Sequence, residues 1–137
     1  MDGDEPMSTG EPGSGRLDHV ALQVGDFDDR LALLQQLGMA VLRVGALSAD
    51  PTRRIAMLSD ERGFKLEIVE SHCDGLAHVA FEVADVDAAT AAPPSQLHVQ
   101  RPPYRLAAGK ADSAMLADDA GLTVQFVHYD PDSPDRT

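Results

Sequence analysis

One strand-like stretch occurs twice in this 137-residue sequence, as LDHVALQV at residues 17–24 and as LAHVAFEV at residues 76–83. A histidine takes the same place in each copy, and His78 follows His19 by 59 positions. Self-similarity at a fixed offset is the signature of a repeated structural unit. The sequence therefore predicts two copies of one unit of about sixty residues.

The repeat extends to the last segment of each copy. At an offset of 58, GFKLEIVE at residues 63–70 aligns with GLTVQFVH at residues 121–128. This alignment places Glu67 at the position that Gln125 takes in the second copy. Each unit thus opens on a histidine-bearing segment and closes on a segment with a polar side chain at its centre.

Both opening segments are short, rich in β-branched residues and bounded by turn residues, as expected of β-strands. Side chains alternate between the two faces of a strand, so His19 lies opposite the apolar side chains at positions 20, 22 and 24. If a helix covers each apolar face, the polar positions of the opening and closing strands point into one concave space. Those four positions are His19, Glu67, His78 and Gln125.

The segment after each opening strand has helical signals. In the first copy Asp26 or Asp28 can cap a helix that Gly38 ends. In the second copy a shorter, alanine-rich helix must stop at the prolines of positions 93 and 94. Three extended segments then follow in each copy, at 39–46, 53–59 and 64–70 in the first and at 97–101, 111–117 and 122–128 in the second.

We therefore predict an α+β fold, in which two βαβββ modules pair into a cupped mixed sheet with the helices outside. The predicted modules are residues 16–71 and 75–129. A disordered acidic tail is predicted at residues 1–15 and a second disordered tail at residues 130–137, because both are rich in proline, small residues and acids.

The formal net charge of −12 argues against non-specific nucleic-acid binding, since phosphate backbones attract Lys and Arg. The sequence has no signal-peptide pattern and no apolar run long enough to span a membrane, so no membrane partner is predicted. Cys73 is the single cysteine, which excludes an internal disulfide and suits the cytoplasm. A unit of about sixty residues is marginal alone, which favours self-association as a homodimer.

At the four polar positions the sequence resembles the vicinal oxygen chelate superfamily, which includes glyoxalase I, methylmalonyl-CoA epimerase, extradiol dioxygenases and the bleomycin resistance proteins. LDHVALQVGDFD and LAHVAFEVADVDAA resemble its two opening strands, and the stretch around His78 is most similar to the epimerases. The resemblance implies paired βαβββ modules that surround one divalent metal ion. The implied metal ligands are His19, Glu67, His78 and Gln125.

The resemblance also implies a metal-dependent isomerase or lyase of the glyoxalase or epimerase type, which acts on a small oxygenated substrate through a metal-stabilised enolate. Two imidazoles, a carboxylate and a carboxamide oxygen suit Zn, Ni, Co, Mn or Fe and do not select among them. Gln125 cannot accept a proton at ordinary pH, so Glu67 is the predicted catalytic base. Two alternatives remain: a metal-free small-molecule-binding or drug-resistance protein, and an Fe(II) dioxygenase that uses the two histidines and Glu67.

A basic cluster, RPPYRLAAGK at residues 101–110, stands out in this acidic chain. Its guanidinium groups could bind a substrate carboxylate or phosphate. The predicted substrate-binding residues are Arg101, Tyr104 and Arg105, with an exposed β-connection as the alternative interpretation. The pair at residues 53–54 is the predicted counterpart of this cluster in the first module.

Overall fold

A computed structural model describes residues 15–136, and the predicted N-terminal tail lies outside the described residues except for Gly15. The first half of the chain contains β1 (Arg16–Val24), α1 (Phe27–Gln36), β2 (Ala40–Ala46), β3 (Arg54–Ser59) and β4 (Lys65–Glu70). The second half contains β5 (Gly75–Glu82), α2 (Val86–Ala91), β6 (His98–Leu106), β7 (Ala111–Ala117) and β8 (Thr123–Tyr129).

All eight strands form one mixed sheet in the order β2-β3-β4-β1-β5-β8-β7-β6. Within each half the opening strand runs parallel to the closing strand, β1 to β4 and β5 to β8. The two halves join through the antiparallel pair of β1 and β5 at the centre of the sheet. The predicted α+β fold of two βαβββ units is confirmed.

Each helix begins at an aspartate cap and covers the apolar side of its own half. Asp26 accepts a hydrogen bond from the backbone N–H of Asp29, and Asp85 does the same for Ala88, both at 3.0 Å. The cluster under α1 contains Phe27, Ala56, Leu58 and Ile68, and the cluster under α2 contains Val86, Ala89, Leu116 and Phe126. Because the helices occupy the outer side, the concave side is left for the polar positions.

Strand β6 runs five residues past the end predicted for it at residue 101, through the prolines at positions 102 and 103. Proline cannot donate to a strand ladder and is tolerated at edges and irregular pairings. β6 is an edge strand, and its register with β7 shifts between Arg101 and Tyr104. The edge position therefore explains why this strand continues through two prolines.

The segment at residues 130–136 is packed against the sheet, in contrast to the disorder that its composition predicts. Ser133 and Asp135 are buried, and the Ser133 hydroxyl donates to the carbonyl of Gly109. The Asp135 carboxylate accepts from Arg43, and the Lys65 ammonium donates to the Asp135 carbonyl at 2.6 Å. Specific polar partners hold this segment, and composition alone does not reveal them. In the part of the chain that the structure describes, no helix is both long and apolar enough to span a membrane.

Candidate metal centre

The central strand pair brings the two repeated histidines together. His19 pairs with Ala80 across the β1–β5 ladder, and Ala21 pairs with His78. The two histidines are therefore diagonal neighbours, with ring centroids 5.5 Å apart and planes inclined at 73°. In this structure both belong to one chain.

The closing strands present their polar residues at equivalent registers. Glu67 pairs with Ala21 on β1, and Gln125 pairs with Ala80 on β5. The Glu67 Oε1 atom lies 3.5 Å from His19 Nε2 and 3.4 Å from His78 Nε2. Ligand atoms of these three residues all lie within 4.8 Å of one another, close enough to bind one metal ion.

Three donor atoms of the predicted ligands fit a metal because nothing else satisfies them. Within residues 15–136, His19 Nε2, His78 Nε2 and Gln125 Oε1 are buried and have no hydrogen-bond partner. Native proteins rarely leave buried polar atoms unpaired. Two imidazole nitrogens, a carboxamide oxygen and the Glu67 carboxylate form a donor set typical of divalent transition metals.

His19 is oriented by its neighbour in sequence. Its Nδ1 lies 2.7 Å from Asp18 Oδ2, which leaves Nε2 directed at the centre. Metal-binding histidines commonly have such a carboxylate partner on the second ring nitrogen. Burial would lower the pKa of His19, but the neighbouring Asp18 and Glu67 carboxylates outweigh burial and raise this pKa to about 9.

The environment of Glu67 keeps its carboxylate ionised. Burial would raise the pKa of Glu67, but the His19 and His78 imidazoles beside it outweigh burial and lower this pKa well below its usual range. On the other side, Glu67 Oε2 lies 3.3 Å from Arg43 Nη2. One carboxylate oxygen thus faces the imidazoles and the other faces a guanidinium.

Gln125 is oriented by a neutral partner. Its side-chain Nε2 donates to the Ser113 hydroxyl on β7 at 2.8 Å. This hydrogen bond fixes the amide so that Oε1 points away from Ser113, and Oε1 is the atom without a partner in the described part of the chain. Oxygen is the amide atom that can bind a metal, so the orientation fits a ligand.

Several solved structures share this architecture. Methylmalonyl-CoA epimerase from Mycobacterium tuberculosis matches with a TM-score of 0.73 and 21% identity, over 91% of this chain and 94% of that one. A methylmalonyl-CoA epimerase in complex with methylmalonyl-CoA and NH4+ matches with a TM-score of 0.71 and 22% identity, over 87% of this chain and 97% of that one. The chain has the vicinal oxygen chelate fold. The predicted resemblance to that superfamily is thereby confirmed at the level of the fold.

A larger enzyme shares the vicinal oxygen chelate fold with this chain. The halotolerant catechol dioxygenase BphC matches with a TM-score of 0.65 and 15% identity, over 85% of this chain and 42% of its own length. This chain therefore spans less than half of the dioxygenase. No protein-family model matches the sequence, and no curated protein matches it significantly.

A cavity of about 680 Å³ lies on the concave side of the fold, beside Glu67, His78 and Gln125. Two of the predicted substrate-binding residues, Arg101 and Tyr104, line it. Arg101 stacks over the Tyr104 ring, with 3.5 Å between its Cζ atom and the ring centroid.

The third predicted substrate-binding residue is not part of this cavity. Arg105 lies on the other side of the strand, where it pairs with Asp112 and Asp130. Successive side chains of a strand point to opposite faces, so Arg105 points away from the cavity that its neighbour Tyr104 lines.

The first-half counterpart of Arg101 is Arg43. Arg43 pairs with Met57 in the register of β2 and β3, as Arg101 pairs with Met115 in the register of β6 and β7. The prediction that residues 53–54 take this place was wrong. The offset of 58 that aligns the closing strands also aligns Arg43 with Arg101, so the sequence contained the signal.

Proposed function

We propose that the protein is a divalent-metal-dependent enzyme that acts on a small oxygenated substrate by isomerase or lyase chemistry of the glyoxalase or epimerase type. The proposed metal ligands are His19, Glu67, His78 and Gln125. One observation supports this proposal above the others. His19 Nε2 and His78 Nε2 lie 3.5 and 3.4 Å from the same Glu67 oxygen, and these two nitrogens and Gln125 Oε1, from three different strands, are buried without a hydrogen-bond partner among residues 15–136.

A divalent ion held by these residues would supply a Lewis acid that stabilises negative charge on neighbouring substrate oxygens. The protein contributes the orientation of the ligands. Asp18 fixes the His19 ring and Ser113 fixes the Gln125 amide, so the donor atoms are positioned before any ligand arrives. Preorganisation of this kind lowers the cost of binding and of charge development.

Isomerisation next to a carbonyl requires a base, and Glu67 is the one carboxylate among the described residues that line the cavity. We propose Glu67 as that base. Its lowered pKa favours the ligand role at rest, because a carboxylate of low pKa is a weak proton acceptor. Proton transfer would therefore require Glu67 to move away from the imidazoles and from Arg43, which would raise its pKa.

The epimerase type is favoured over the dioxygenase type by chain coverage. The epimerase structures match along nearly their full length, whereas less than half of the dioxygenase is matched. One of these epimerases was solved in complex with methylmalonyl-CoA and NH4+. Acyl-CoA esters and hemithioacetals are accordingly the first substrates to assay.

The test is the metal content of protein purified without a histidine tag, measured by mass spectrometry for Zn, Ni, Co, Mn and Fe. We expect near-stoichiometric metal in the wild type and none in the His19→Ala/His78→Ala variant. The matched control is His72→Ala/His98→Ala, which removes two exposed histidines and should keep the metal. A wild type that binds no ion after incubation with each metal would refute the proposal and favour a metal-free binding protein.

A further inference from the structure

Arg43 is a buried cation with unused hydrogen-bonding capacity. Its side chain is 9% exposed, and it lines the same cavity as Glu67. Two of its nitrogens are engaged, because Nε and Nη2 both donate to the Asp135 carboxylate and Nη2 also lies near Glu67. The third, Nη1, is buried and has no partner among residues 15–136.

The space beside Nη1 depends on a glycine. A Cβ atom at Gly45 would lie 3.9 Å from Arg43 Nη1 and 3.3 Å from the Ala108 Cβ. Any side chain at this position would therefore fill the gap between the guanidinium and the opposite edge of the sheet. Glycine there leaves Nη1 without a side-chain neighbour from residue 45.

The charge of the cavity wall is opposite to the charge of the protein. Three arginines (Arg43, Arg53 and Arg101) line the cavity, and Glu67 is the one carboxylate among its described lining residues. The whole chain has a formal net charge of −12. The local field of a cationic pocket attracts small anions, even where the protein as a whole is anionic.

Arg43 is held in place by the C-terminal segment. Asp135 is buried and accepts two hydrogen bonds from the guanidinium, at 3.0 Å from Nε and 2.7 Å from Nη2. The backbone carbonyl of Asp135 in turn accepts from Lys65 at 2.6 Å. A planar guanidinium that is fixed along one edge presents its remaining donor in a defined direction.

We propose that Arg43 Nη1 binds a carboxylate of the substrate, and that Asp135 is the positioning residue that directs it. The substrate class is then a small organic acid or acid derivative that carries a carboxylate besides the oxygens directed at the metal centre. This inference rests on the proposed function for the metal-bound part of the substrate. The contribution of Arg43 to anion binding is separate from it and exists in the metal-free protein as well.

The test is isothermal titration of oxalate, malonate and succinate, with malonamide as the uncharged counterpart of malonate, into metal-free and zinc-loaded protein. We expect at least one dianion to bind the wild type more tightly than about 1 mM. We also expect malonate to bind more tightly than malonamide. If none of the three dianions binds in either form, or if malonamide binds as tightly as malonate, the proposal is wrong.

The Arg43→Gln/Asp135→Asn variant removes both charges of the Arg43–Asp135 pair, so Asp135 is not left as an unpaired buried anion, and Glu67 keeps its contacts with His19 and His78. We expect it to weaken dianion binding by about tenfold to a hundredfold, the loss typical of one charged hydrogen bond, and to leave malonamide binding unchanged. Arg62→Gln is the matched control, since Arg62 is exposed and does not line this cavity. Equal dianion affinity in the double variant and the wild type would overturn the role of Arg43.

Asp135→Asn alone tests the positioning role. We expect the ratio of malonate to malonamide affinity to fall while the zinc content stays at the wild-type level, which a merely structural effect would not produce. An unchanged ratio would contradict the role of Asp135. A protein that binds no zinc but still prefers malonate through Arg43 would refute the proposed metal enzyme and retain the anion site.

Discussion

The two halves of the molecule share a fold and a pattern of ligands, yet they stabilise those ligands by different means. In the first half the opening histidine has a carboxylate partner, Asp18, and the closing-strand residue is an ion next to Arg43. In the second half Ala77 occupies the position of Asp18, and the closing-strand residue is a neutral amide next to Ser113. The ligands of the first half are therefore stabilised by charged neighbours, whereas the corresponding neighbours in the second half are uncharged.

This difference shows what a repeat determines and what it does not. The shared strand registers determine where the four ligands lie, because equivalent residues pair equivalently in each half. The neighbours of the ligands determine charge, pKa and orientation, and these neighbours differ between the halves. Substitutions at equivalent positions can therefore separate the two contributions.

The largest difference is expected between the two equivalent arginines in the metal-free protein. Arg43→Met leaves the buried Asp135 and Glu67 carboxylates without their cation and should lower the free energy of unfolding by about 3–5 kcal/mol. Arg101→Met loses a stacking contact with Tyr104 and should cost about 1 kcal/mol or less. Urea denaturation measures both, and equal losses would contradict the charge asymmetry.

A smaller effect is expected when the closing-strand ligands are made alike. Glu67→Gln removes the one anionic ligand and should weaken zinc binding by about a hundredfold or more. Loss of a residue that only hydrogen-bonds a metal ligand typically weakens metal binding by about tenfold to a hundredfold, and loss of the ligand charge itself should cost more. Gln125→Glu should not weaken binding, because it adds a second anionic donor at the equivalent register. Competition with a chelator of known affinity measures both variants. Comparable losses in the two would show that charge does not distinguish the halves.

Removal of the Asp18 carboxylate should make the first histidine resemble the second. Asp18→Asn should weaken zinc binding by about tenfold to a hundredfold, as is typical when the partner of a metal-binding histidine is lost. The same chelator competition measures it, and Asp28→Asn on the exposed surface of α1 is the control. An unchanged affinity would mean that packing alone orients His19.

The smallest expected effect is the proton release that accompanies zinc binding. The raised pKa of His19, about 9, means that its imidazole is protonated at pH 7 in the metal-free protein, whereas a metal ligand must be neutral. Zinc binding at pH 7 should therefore release about one proton from His19, and affinity should rise about tenfold per pH unit up to about pH 9. Titration calorimetry in buffers of different ionisation enthalpy measures the release.

The same pKa has a consequence for stability. Since folding raises the pKa of His19, its contribution to the stability of the metal-free protein is present below the unfolded value near 6.5 and is lost as pH rises through about 9. Unfolding free energies of the metal-free protein at pH 6 and pH 10 should differ in this direction. Asp18→Asn should reduce both the proton release and the pH dependence.

The sequence alone predicted the fold, and three of the four proposed ligands, His19, Glu67 and His78, cluster in the structure, because the repeat is visible in the strands that carry them. It did not predict the neighbours, for identifiable reasons. The register of β1 and β5 shifts between Leu17 and His19, so simple alternation misplaces Asp18. The register of β2 and β3 shifts before Arg43, and the composition around Asp135 is typical of disorder.

The packing of residues 130–136 also affects the order in which the molecule is completed during translation. All eight strands precede this segment, so they are synthesised before Asp135 is. Until Asp135 emerges, Arg43 lacks its principal counter-ion and Lys65 lacks a backbone acceptor. A sheet formed without Asp135 would thus have a more positively charged concave side than the intact protein.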